Sequence, residues 1–196
     1  MRYLQDTTFQ SRWVALWLFL LGATLGTMID AFHVYTGVER YPLPAFLGVA
    51  WWVPPLFGIA TVAIGYSHPL ADPLLQHIGA KRRLVISMGE LTWLLLAYLI
   101  AASMLESLAK VGILVVIYLN FWILAGRSWQ NLLLAFLTAV TGTLIEMILV
   151  AAGVFSYVHP DIFGIPYWLP CVYGCASLAV GDLGRSLMSL HTRATL

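Results

Sequence analysis

The sequence predicts an all-α polytopic membrane protein with six transmembrane helices and both termini in the cytoplasm. Three observations predict it. The 196 residues are 61% hydrophobic and only 10% charged, with a mean hydropathy of +0.87, far from the balance of a soluble domain. Apolar runs recur at close to the roughly 20 residues that cross a bilayer. Basic residues gather on alternate connections. Arg2, Arg12, Lys81, Arg82, Arg83, Arg127, Arg185 and Arg193 fall on one side, Arg40 and Lys110 on the other, and the richer side is cytoplasmic. Residues 1–196 are read as one domain. The net charge of +1 gives no basis for a nucleic-acid partner.

The first span runs from about Trp13 to His33, where Gly22, Gly26 and Asp30 share a stripe suited to close helix contact. It is too long for a removable signal peptide, and its flank lacks a cleavage site. The second, Ala45 to Tyr66, carries no charge but has Pro54 and Pro55 near its middle. Prolines there would strip partners from the carbonyls of Ala50 and Trp51 and bend the helix, with the bend facing protein or a cavity. Trp51 and Trp52 precede it. The third span is read as Leu84 to Leu105, the fourth as Val111 to Ala125, the fifth as Leu132 to Ala152 and the sixth as Pro166 to Leu190. Lys81-Arg82-Arg83 is read as a topology anchor at the head of the third. Ala135, Thr138, Gly142 and Glu146 form a stripe in the fifth, and Gly174, Ser177, Gly181 and Gly184 one in the sixth. No pairwise repeat between the halves is read, which argues against a transporter.

Glu146 is the anomaly. It sits deep in the fifth span, where a charge costs several kcal/mol unless paired, hydrated or neutral, so it should face the interior. A protonated acid there could donate to a lipid ester or hydroxyl; the bland alternative is a hydrogen bond that holds helices together. Asp30 and His33 fall near the same depth. Asp182 and Arg185, three apart, can pair on one helix face. No HExxH, GxSxG or metal-type spacing is present, so no catalytic residue, metal or cofactor is assigned. Cys171 and Cys175 are read as packing residues.

Two blocks then resemble a known family. Ala50-Trp51-Trp52-Val53-Pro54-Pro55 with Gly58, Ala60, Gly65, Pro69 and Asp72 is one. Gly153-Val154, Tyr157, Pro160-Asp161, Trp168-Leu169-Pro170-Cys171, Gly181 and Gly184-Arg185 is the other. Both resemble the Insig (insulin-induced gene) family. The resemblance implies a non-enzymatic membrane receptor for sterols or other lipids, within a family of cholesterol homeostasis, with a pocket between helices. It places Trp122 at a family tryptophan that lines that pocket. Animal members act on the sterol-sensing protein Scap and on HMG-CoA reductase. Here the family's acidic residue before Arg127-Ser128 is Gly126, and its sterol-contacting polar residue is replaced near Ala109. These departures argue against those two partners and describe a distant homologue of bacterial kind that takes some other lipid.

The reading is an intramembrane lipid cavity beside the kinked second helix, lined by Trp51, Trp52, Pro54, Pro55, Trp122, Glu146 and Asp30. Its partner is a membrane lipid or sterol-like molecule, and the small-residue stripes permit a homo-oligomer. The membrane is the plasma membrane in a bacterium or the endoplasmic reticulum in a eukaryote. The alternatives are a membrane enzyme of lipid metabolism using Glu146 and Asp30 as acid and base, or a small transporter.

Overall fold

A computed structural model describes the backbone of residues 2–75 and 84–193, and the side chains of residues 12–75 and 84–190. The Lys81-Arg82-Arg83 anchor lies outside the described residues. Helix α1 (Arg2–Leu21) passes through a π-helical turn (Gly22–Gly26) into α2 (Thr27–Tyr35). Strand β1 (Glu39–Arg40) and helices α3 (Val53–Leu74), α4 (Leu84–Ala101), α5 (Ser107–Leu124) and α6 (Trp129–Ala151) follow, then strand β2 (Ser156–Tyr157) and helix α7 (Leu169–Arg193). Among the described residues, four helical stretches are long and apolar enough to cross a membrane: Arg12–Tyr35, Leu84–Ala101, Ser107–Leu124 and Trp129–Ala151. Helix α7 is more polar because it is enclosed. It packs against α3, α4, α5 and α6 and touches α1, and residues 174–184 are buried throughout.

The second helix begins later than the sequence suggests. Val53 opens α3, so Pro54 and Pro55 sit in its first turn, where the missing N–H groups would have had no helical partner anyway. They start the helix rather than bend it. The prolines inside α3 are Pro69 and Pro73, and the irregular turn in the wall is the π turn of the first span. There a Cβ on Gly22 would strike Thr61 and Phe57, and one on Gly26 the Phe57 ring, so the glycines let α3 lie close.

Contrary to the sequence reading, the chain does contain a repeat. At an offset of 116 residues, Gly37, Val38, Tyr41, Pro44, Gly48, Trp52 and Pro54 recur without a gap as Gly153, Val154, Tyr157, Pro160, Gly164, Trp168 and Pro170. The flanking helices join in, with Gly26 and Gly142, Gly58 and Gly174, Gly65 and Gly181 in register. Backbone geometry repeats too. Leu47-Gly48 and Phe163-Gly164 both take positive φ (50°, 82° and 50°, 81°), the pattern of a tight hairpin turn, closed by the bridges Phe46–Val49 and Ile162–Ile165. Strands β1 and β2 pair antiparallel, Glu39 with Tyr157 and Arg40 with Ser156. Since Phe155 and Tyr41 are the repeat mates of that first pair, and their rings stack at 5.7 Å, the two units are exchanged by a local two-fold axis. The same exchange relates the α3–α7 contacts. Gly181 lies under the His68 ring, and Gly184 under the backbone of Gly65, each of these residues being the mate of one in the other contact. The α4–α5 hairpin is inserted between the units and covers α7.

At one end of α7, Arg185 ties three helices together. Its Nε and Nη2 donate to Asp72 of α3 at 2.8 and 2.5 Å, and Nη1 donates to Asp182 at 2.7 Å and to Asn131 of α6 at 3.0 Å. The expected Asp182–Arg185 pair is thus part of a larger buried cluster. Truncating one partner of a buried charge cluster leaves uncompensated charge at a cost of about 3–5 kcal/mol. Arg185→Met should therefore abolish folding or lower the Tm in detergent by far more than Asp72→Asn does. Gly184→Ala forces a Cβ against Gly65 and should cost about 1–3 kcal/mol. Gly89→Ala, which meets nothing within 4 Å, should leave the same melting curve unmoved.

Candidate functional site

A cavity of about 250 Å³ lies where the two repeat units face each other. The first span, α3 and α6 wall it, while α4 and α7 supply Leu91, Leu94, Tyr98, Ala176 and Val180 behind. Most of its lining comes as repeat mates: Gly26 with Gly142, Ile29 with Ile145, Asp30 with Glu146, Phe57 with Tyr173, Ala60 with Ala176. Leu56 and Ala63 of α3 and Thr141 and Ile145 of α6 line it and are exposed, so its mouth is lateral, between α3 and α6. Small residues on the wall helices make the space. The helices that could fill it are held off by rings, Phe57 over Gly26 and Tyr173 over Gly142.

The polar groups collect at the end next to β1 and β2. Glu146 accepts hydrogen bonds from the Tyr157 hydroxyl on one oxygen and from the Tyr173 hydroxyl, at 2.5 Å, on the other. Asp30 accepts from Tyr41 at 2.7 Å, the repeat copy of the Glu146–Tyr157 bond. Glu39 shares a hydrogen bond with Asp30, which requires a proton between the two carboxyls. Burial, with Asp30 beside it, pushes the Glu39 carboxyl well above the usual carboxylate range. Behind this pair, His33 Nε2 meets the Tyr98 carbonyl at 3.2 Å, and Nδ1 lies 3.8 Å from Glu39 Oε1. Aromatic rings seal the end. Tyr41 packs edge-on to Trp52, Phe155 to Tyr157, and Tyr157 to Trp168.

Of the residues the sequence singles out, Asp30, Trp52 and Glu146 line this cavity. Trp51 is 73% exposed and turned away. Pro54 and Pro55 form the first turn of α3 without reaching the lining. Trp122 lies on α5, where its Nε1 donates to the Ser128 carbonyl at 2.9 Å and closes the α5–α6 connection; it is not among the lining residues. Glu39, Tyr41 and Tyr173 are the residues of this candidate site that sequence reasoning passed over, and Tyr157 was noted there only as part of the second Insig-like block. The repeat was the signal that could have found Tyr41 and Tyr157, because it aligns Asp30 with Glu146 and Tyr41 with Tyr157; it does not mark Glu39 or Tyr173, whose mates are Phe155 and Phe57. Among the described residues, no cluster of His, Cys, Asp and Glu has the geometry to hold a metal ion.

No family model matches the chain. It is 30% identical over 176 residues to the insulin-induced gene 1 protein of Bos taurus, covering 87% of this chain and 64% of that protein. The Gallus gallus and Homo sapiens proteins are each 29% identical over the same length, covering 70% and 64% of those proteins. The chain therefore spans less than two thirds of the bovine and human relatives. The fold matches the crystal structure of MvINS, a mycobacterial Insig homolog from Mycobacterium vanbaalenii, with a TM-score of 0.76, 25% identity and coverage of 89% of this chain and 93% of that one. In sequence and in fold the chain is similar to Insig. A cross-linked variant of MvINS, crystallised as a trimer, superposes equally well. With the apolar spans, the likeness to Insig makes this an integral membrane protein. Each of the two Insig-like blocks quoted from the sequence contains one copy of a tripeptide of the repeat, Trp52-Val53-Pro54 in the first and Trp168-Leu169-Pro170 in the second.

Glu146→Leu would leave the Tyr157 and Tyr173 hydroxyls without their acceptor, and a buried unsatisfied polar group costs about 1–3 kcal/mol. Glu146→Leu should thus melt several degrees below the native protein, whereas Glu146→Gln, which still accepts on its carbonyl oxygen, should melt between them.

Proposed function

We propose that this Insig-like chain is a non-enzymatic membrane protein that holds a lipid or sterol-like molecule in the cavity between its repeat units. The observation that carries the reading is the lateral mouth between α3 and α6. A cavity with apolar walls, a few convergent polar groups at one end and an opening toward the acyl chains suits a ligand with a polar head and a long apolar tail. Asp30, Trp52 and Glu146 are its ligand-facing residues in this reading. At about 250 Å³ it takes a headgroup and the start of a tail, and the rest runs out between the helices.

The orientation that goes with it has six crossings, the first formed by α1 and α2 and the others by α3 to α7, with both termini cytoplasmic. The distribution of Lys and Arg supports this, and it sets the polar end of the cavity toward the non-cytoplasmic leaflet. The trimeric MvINS variant supports a homo-oligomer. The repeat removes one argument against a transporter, since parallel repeats occur in transporters. The cavity's side opening and greasy lining still favour retention of a lipid.

Protein extracted in a gentle detergent should carry a stoichiometric lipid in native mass spectrometry. Ala176→Trp, which fills the cavity from behind, should remove that mass while the protein still elutes as a folded species. An empty native protein would end the lipid reading.

A further inference from the structure

The repeat makes the polar end of the cavity comparable with itself, and the comparison is uneven. On the α6 side there is one carboxyl, Glu146, and two phenols, Tyr157 and Tyr173, so each carboxyl oxygen receives a donor. On the first-span side the mate of Glu146 is Asp30, and the mate of Tyr157 is Tyr41, bonded alike. The other two positions are changed. The mate of Tyr173 is Phe57, which has no hydroxyl, and the mate of Phe155 is Glu39. This side therefore holds two carboxyls and one phenol. Glu39 is 3% exposed and lines the cavity. One of its oxygens, Oε1, has no hydrogen-bond partner, and His33 Nδ1, at 3.8 Å, is beyond hydrogen-bond reach. Native interiors rarely leave such an acceptor empty. Three carboxyls face the cavity, and its lining contains no Lys, Arg or His.

Taking the lipid reading of the cavity as given, we propose that the Asp30–Glu39 edge is its anchoring subsite, and that it takes a headgroup that donates hydrogen bonds and carries no negative charge. Glu146 is already satisfied by its two tyrosines and holds α6 to α7 and β2. The edge that Asp30 and Glu39 present to the cavity is made of carboxyl groups with no basic residue in the lining beside them, and a donor for it comes from the ligand. A hydroxyl and an ammonium both supply it, the first by inserting beside the proton that Asp30 and Glu39 share, the second by replacing it. A carboxylate or phosphate head would meet only acceptors.

The test uses the full chain in detergent and three probes with one tail: oleyl alcohol, oleylamine and oleate. Binding is read by native mass spectrometry and by the shift in Tm. The alcohol or the amine should bind at least about tenfold more tightly than oleate, a single hydrogen bond to a charged acceptor being sufficient for that ratio. Which of the two is tighter tells a hydroxyl ligand from an amine. Glu39→Phe restores the residue that the other repeat unit carries at this place. It should weaken the preferred probe by about tenfold or more without lowering the Tm, while Gly89→Ala, outside the cavity lining and with nothing within 4 Å of the added Cβ, changes its affinity by less than about threefold. Oleate binding as tightly as the other two, or Glu39→Phe binding like the native protein, overturns the subsite while leaving the lipid reading in place. Failure of all three probes, with no lipid carried through purification, overturns both. The comparison of heads on the native protein stands even if a variant does not fold.

Discussion

The close crossing of α3 and α7 is the constraint on which the other contacts depend. Two helices approach this closely only where side chains are missing from the contact, and Gly65, Gly181 and Gly184 provide that gap, with Gly184 directly under the backbone of Gly65 and Gly181 under the His68 ring. His68 is wholly buried by the crossing and reaches Ser177 Oγ at 3.0 Å, which in turn accepts from Thr138 of α6. A few residues along, Asp72 and Arg185 bind the same pair of helices by charge. Packing fixes the distance between α3 and α7, and the Arg185 cluster fixes their rotation. With these set, the first span must lie on α3 as α6 lies on α7, and the cavity is the space left where the two pairs face each other.

That arrangement also explains where polar residues can live in so apolar a chain. A charge facing lipid is expensive, whereas one facing another helix needs only a partner. Helix α7 is surrounded, so it carries Ser177, Asp182, Arg185 and Ser186, with Ser87 of α4 bonded to Ser186 at 2.7 Å. The lipid-facing sides of α4, α5 and α6 are lined by residues such as Val85, Val116 and Ile148. Two carboxyls of the cavity are tolerated on the same terms, Asp30 held by Tyr41 and Glu146 by Tyr157 and Tyr173.

The helices were legible because lipid demands long uncharged runs, and the small-residue stripes named the contact faces correctly: Gly22 and Gly26 meet α3, Gly142 meets Tyr173 and Gly184 meets Gly65. Asp30 and Glu146 stood out because the membrane penalises them. What could not be read was direction. Trp51 and Trp52 are adjacent, and only the rotation of the chain entering α3 decides that Trp52 faces the cavity and Trp51 faces away. Trp122 was chosen by family likeness, but its indole satisfies a local carbonyl. The prolines misled because a run of apolar residues does not say where its helix begins; Ala45 to Trp52 belongs to a turn and hairpin that happen to be apolar. The repeat went unseen because its matches are dense only in the connecting stretch and thin in the helices, where any apolar side chain serves.

The two copies of the unit have diverged where function would require it. Residues that set backbone shape are unchanged: Gly48 and Gly164 hold the same left-handed turn, Val34 and Val150 pack under them alike, and Pro54 and Pro170 occupy the first turns of α3 and α7. Residues facing the shared cavity differ in polarity, Phe57 against Tyr173, Glu39 against Phe155, Gly22 against Thr138. A symmetric pair of units would enclose a symmetric cavity, with no reason to seat a head at one place and a tail at another. At the polar end, a phenol on one side of the axis and a second carboxyl on the other break that equivalence. One carboxyl becomes a closed structural tie between helices, and the other side gains an acceptor that nothing in the fold fills.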